Sequence, residues 1–112
     1  MRASSIEDVE RYVVWDYGYD ARRRLGVGRI VLPRRPGQEA SGFRVVDAGE
    51  GWYALLPATS PPDTNRTVGS TAWADAELAV RFSHLADVPV DALVASYLAP
   101  DGAPALTQFV RG

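Results

Sequence analysis

The chain has 112 residues, 46% hydrophobic and 23% charged, with a formal charge of −2 and a pI near 5.3. That size holds one domain with a single core, and the absence of cysteine excludes a disulfide framework and thiolate chemistry. A mildly acidic chain argues against general nucleic-acid binding, which is mostly phosphate neutralisation. No apolar run approaches the roughly 18 residues of a membrane span. No apolar signal core follows the N-terminus either, so a cytoplasmic protein is expected.

All 12 basic residues are arginine. Alanine, glycine and aspartate are also used heavily, which fits a GC-rich bacterial genome rather than arginine chosen for its chemistry. The charge is unevenly spread. Residues 20–37 hold six arginines and one carboxylate, whereas residues 57–112 hold three arginines and six acids. A basic patch and an acidic end are therefore expected.

In chain order, Ser4 with Glu7 fits a capping box, and Ile6, Val9 and Val13 recur at helical spacing. A helix over residues 6–14 is expected. The run Trp15-Asp16-Tyr17-Gly18-Tyr19-Asp20 follows, and Gly18 predicts a turn in it. After Arg22, Arg23 and Arg24, residues 25–32 alternate as a strand that Pro33 ends. Residues 43–56 read as an antiparallel hairpin: two apolar runs flank a polar centre in which Gly49 and Gly51 can take positive φ. The Pro-, Ser- and Asp-rich residues 57–70 read as a long loop. The formal glycosylation tripeptide Asn65-Arg66-Thr67 lies in it and has no secretion signal to make it meaningful.

Residues 71–85 fit either periodicity. A strand over 78–84 is favoured, because a helix would split Val80 from Leu78, Phe82 and Leu85. Pro89 suits the first turn of a helix, in which Val90, Leu93, Val94, Tyr97 and Leu98 form one stripe, and Pro100-Asp101-Gly102 stops it. Residues 105–110 read as a last strand.

The fold class expected is α+β: an antiparallel sheet of four or five strands built on the hairpin, with one or two helices packed on one face. Trp52, Leu55, Leu93, Val94 and Tyr97 are the expected core.

Catalytic signatures are sparse. There is one histidine, His84, and no Gly-x-Ser-x-Gly elbow. With one histidine and no cysteine, a metal site would rest on carboxylates, and no calcium-loop spacing occurs. Gly26-Val27-Gly28-Arg29 lacks the following helix and Lys-Ser/Thr of a phosphate cradle. Neither metal nor cofactor is expected. A recognition surface is better supported: Trp15, Tyr17, Tyr19, Arg22, Arg23, Arg24, Arg34 and Arg35 are residue types enriched in binding hot spots.

Residues 78–110, with Asp87-Val88-Pro89-Val90-Asp91-Ala92-Leu93 and then Asp101-Gly102-Ala103-Pro104, resemble the C-terminal part of small actinobacterial immunity proteins from polymorphic-toxin systems. The resemblance implies a strand, a helix, a turn and a final strand, and it assigns no site residue. Three functions stay open. The first is a non-enzymatic protein that binds a protein partner and blocks it, with a homodimer as a further partner to consider. The second is RNA binding through residues 15–35. The third is a small enzyme whose acid/base group is Asp16, Asp20 or His84, set in a concave pocket.

Overall fold

The computed structural model describes residues 2–3, 5–59 and 71–111. Its elements are β1 (Arg2–Ala3), α1 (Ile6–Leu25), β2 (Arg29–Ile30), β3 (Phe43–Gly49), β4 (Trp52–Pro57), β5 (Thr71–Trp73), α2 (Ala76–Ser83), α3 (Val90–Leu98) and β6 (Val110–Arg111). The fold is α+β. A four-stranded antiparallel sheet runs in the order β1-β5-β4-β3, and β2 pairs with β6 in a separate ribbon.

The hairpin forms where the alternation predicts it. Val45 faces Leu55 and Arg44 faces Leu56, with a register shift between Asp47 and Gly49. The turn needs three consecutive left-handed residues, Gly49, Glu50 and Gly51 at φ 85°, 55° and 81°, which two glycines adopt without a Cβ penalty. The Asp47 carboxylate accepts from the Gly49 N–H at 2.8 Å and fixes the first of them. The side of the sheet bearing Leu55 and Trp73 joins the main core.

Residues 76–83 are helical, which corrects the strand expected over 78–84. Asp75 caps the helix by accepting from the Glu77 N–H at 2.7 Å. The split periodicity reflects burial on most of the helix circumference: Ala79, Val80, Phe82 and Ser83 are all inside. A helix covered on two sides carries no single apolar stripe.

Helix α1 runs to Leu25, well past the expected end near residue 14. Its cap is Ser5, whose Oγ accepts from the Asp8 N–H at 3.2 Å, one residue later than the expected Ser4–Glu7 box; Ser4 lies outside the described residues. Gly18 makes no turn. It stays helical because the ring of Tyr97 lies against it, and a Cβ there would come within 2.5 Å of Tyr97 Cδ1. The helix stops at Gly26, in the left-handed region at φ 69°. The strand expected over 25–32 is therefore reduced to Arg29–Ile30.

Two faces of α1 organise the packing. Tyr12 and Trp15 meet Trp73 and Phe82, with ring centroids 5.0–6.2 Å apart across the cluster. Gly18 and Arg22 face α3.

The stripe on α3 is rotated from the expected one. Leu93, Ser96 and Tyr97 are buried, while Val94 is 39% and Leu98 57% exposed. Close approach at Gly18 selects the Tyr97 side. Ser96 is tolerated inside because its Oγ donates to Ala92 C=O at 2.8 Å and accepts from the Ala105 N–H at 2.9 Å. Of the expected core, Leu55, Leu93 and Tyr97 are buried, Trp52 is half-buried and Val94 is a surface residue. The strand expected over 105–110 is a 3₁₀ turn at Thr107–Phe109 followed by β6. Most of the loop expected over 57–70, including Asn65, lies outside the described residues.

Leu93 is fully buried in this core. Leu93→Asp places a carboxylate inside this apolar cluster, and the domain is expected to unfold at 25 °C. A circular dichroism melt with an unchanged midpoint contradicts the packing of α3.

Candidate functional site

A groove of about 580 Å³ opens beside α1, lined by Trp15, Tyr19, residues 29–35, Gln38 and Arg81. It brings together four of the eight expected recognition residues, Trp15, Tyr19, Arg34 and Arg35, and adds two more cations, Arg29 and Arg81. No carboxylate among the described residues lines it. None of these four arginines takes part in an ion pair among the described residues.

The groove is built on fixed elements. Trp15 is pinned by edge contacts to Tyr12 and Trp73, with centroids 6.2 and 6.0 Å away. The loop carrying Arg34 and Arg35 closes on itself: Gln38 N–H donates to Arg35 C=O at 2.9 Å, and Arg35 N–H to Gln38 Oε1 at 3.1 Å. The same loop is tied to α2. Ala40 N–H donates to Ser83 Oγ at 2.9 Å, and His84 Nε2 lies 2.8 Å from Gln38 C=O. Such tethering lowers the ordering cost of any partner that binds here.

The other four expected residues lie elsewhere. Arg22 is 1% exposed and is no surface residue. Its Nε donates to Gly28 C=O at 2.6 Å, Nη1 to Ala99 C=O at 2.6 Å and Tyr97 C=O at 3.1 Å, and Nη2 to Pro100 C=O at 3.0 Å. The last three are carbonyls at and beyond the C-terminus of α3, which a helix leaves without partners, and Gly28 lies at the entry of β2. The planar fork of guanidinium suits that task, which is why a charge is held inside without a carboxylate. Arg23 and Arg24 are exposed at the end of α1, with Arg24 Nε 3.1 Å from Asp20.

Tyr17 is 71% exposed on the outer side of α1, in line with Ile6, Val9 and Val13, all of which are exposed. That stripe is the second surface of interest.

Arg29 and Arg81 were not singled out from the sequence as site residues. Arg29 belongs to the basic run over 20–37, which was the available signal. Arg81 carried none, because its position depends on the helical state of residues 76–83.

The residues considered for acid/base chemistry do not assemble. Asp20 pairs with Arg24, His84 packs against Phe109 at 5.3 Å, and neither these nor Asp16 lines the groove. Among the described residues, no group of three or more metal-ligating side chains comes together, and no helix is long and apolar enough to cross a membrane.

Burial raises the Tyr97 phenol above its ordinary value of 10.0, and the nearby Arg22 cation lowers it by less. A raised folded-state value means stability present below pH 10 and lost as the pH climbs above it, because the unfolded chain ionises first. Tyr97→Phe is expected to hold the melting temperature above pH 10, where the parent chain loses stability. Equal losses in both chains contradict this.

Residues 1–105 match the family model described as immunity protein 61. Among solved structures, Rv3902c from M. tuberculosis is similar, with a TM-score of 0.71 over 94% of this chain and 22% sequence identity. The chain spans 57% of that protein's length. At that identity the likeness concerns the fold alone. A search of the curated proteins gave no match. The family match reaches well beyond the C-terminal resemblance read from the sequence.

Proposed function

We propose, starting from a chain that belongs to the immunity protein 61 family, that it is a non-enzymatic immunity protein acting as one domain in the cytoplasm. It binds a toxin protein and blocks it through the arginine-lined groove. The observation that carries the choice of surface is the set of four guanidinia around Trp15 and Tyr19 that have no ion-pair partner among the described residues. Arginine and aromatic side chains held on a preorganised surface are the residue types that dominate protein interfaces. Charges of one sign held in a cleft also speed the encounter with an oppositely charged partner.

The test is charge reversal on the groove. Arg34 and Arg35 are exposed, so Arg34→Glu with Arg35→Glu is expected to leave the melting temperature within about 2 °C of the parent. The tagged double variant is expected to lose at least ten-fold in affinity for the toxin that the parent captures, purified and measured by calorimetry. A variant that folds and binds like the parent removes the groove from the interface.

A further inference from the structure

We infer that the groove receives a short, extended, carboxylate-bearing segment of the partner laid along the free edge of β2; this rests on the toxin-binding reading above. The charge argument is direct. Arg29, Arg34, Arg35 and Arg81 line one concavity that no acid among the described residues lines, although the chain as a whole carries −2. A ligand that supplies the counter-charge fits this lining, and carboxylates match guanidinium in bidentate geometry.

The extended form follows from the backbone. Val31 N–H donates to Phe109 C=O at 2.8 Å, in register with the pairing of Arg29 to Arg111 and Ile30 to Val110. Arg29 and Val31 therefore turn their peptide groups to β6, and Ile30 and Leu32 turn theirs to the opposite edge. Among the described residues no strand pairs with that edge; Ile30 and Leu32 are only 8% and 5% exposed, so their peptide groups meet a ligand from within the groove that residues 29–35 line. An added strand gains main-chain hydrogen bonds from the edge, while its alternate side chains reach the arginines and the rings of Trp15 and Tyr19. A phosphodiester chain fits less well. It has no amide donors to pair with the carbonyls of the β2 edge.

The test uses isotope-labelled full-length protein titrated by NMR with three probes: the peptide Glu-Val-Glu-Tyr-Glu, its counterpart with glutamine in place of every glutamate, and oligouridylate of equal charge. Expected are shifts at the Ile30 and Leu32 amides and the Trp15 indole. Binding of the glutamine peptide and of the oligouridylate is expected to be at least ten-fold weaker. The acidic peptide's effect is expected to vanish in Arg34→Glu with Arg35→Glu. Equal binding of the glutamine peptide, tighter binding of oligouridylate, or shifts confined to Ile6, Val9, Val13 and Tyr17 overturns the proposal. So does a self-associated parent whose groove is already occupied by a second copy. Capture of the toxin is scored separately. A parent that retains the toxin while the acidic peptide fails loses only the acidic-segment inference, whereas a parent that retains no toxin loses the immunity reading itself.

Discussion

Arg22→Leu is expected to cost about 3 kcal/mol or more, since it strands several buried carbonyls at about 1–3 kcal/mol each. That is a fall of roughly 10–15 °C in melting temperature for a chain of this size. The side chain is fully enclosed and donates to the carbonyls of Gly28, Tyr97, Ala99 and Pro100. It thereby joins the end of α1 to the end of α3 and to the entry of β2. Leucine fills part of the volume and satisfies none of these acceptors. Arg22→Lys is expected to recover less than half of the loss, because one ammonium on a flexible stem cannot reach carbonyls spread around a planar fork. Thermal melts of the two variants decide it. A leucine variant within about 3 °C of the parent contradicts the role given to Arg22.

Gly18→Val is the second large effect. The added Cβ comes within 2.5 Å of Tyr97 Cδ1, 2.6 Å of Cγ and 3.1 Å of Cβ. These atoms lie at the base of the ring and cannot swing aside without moving α3. Overpacking of this kind costs about 3 kcal/mol. The gain in helix propensity over glycine, at most about 1 kcal/mol, does not offset it. The distinguishing measurement is a double-mutant cycle of Gly18→Ala with Tyr97→Ala, which deletes the Cγ and Cδ1 atoms that the new Cβ would strike. Removing the ring relieves the clash, so the pair is expected to be more stable than the sum of its single effects predicts. Strict additivity contradicts close packing of α1 on α3.

These two positions also show why part of the fold was not legible in the sequence. Gly18 reads as a turn and Arg22 as a surface cation on local grounds. Both readings fail because α3, more than 70 residues later in the chain, packs on them. The hairpin was legible because alternation and two glycines are local signals, and α3 was placed by its proline and its stop. Its buried face was not, since Val94 and Ser96 are ordered by contacts and not by hydropathy. Helix α2 was misread for the same reason: burial on two sides erases the period that marks a surface helix.

Half of the candidate groove was legible. Trp15, Tyr19, Arg34 and Arg35 were named from residue type and do share the groove. Arg29 and Arg81 complete it only once β2 and α2 stand beside α1. Tyr17, Arg23 and Arg24 belong to the adjoining outer surface of the helix, and Arg22 to the interior.

The most direct test of the groove as the toxin-binding surface is hydrogen exchange on the full chain with and without its purified toxin, read at peptide resolution. Slowed exchange is expected over residues 29–38 and around Arg81, with the outer stripe of α1 unchanged. Protection confined to the segment bearing Ile6, Val9, Val13 and Tyr17, with residues 29–38 exchanging as in the free protein, contradicts the account.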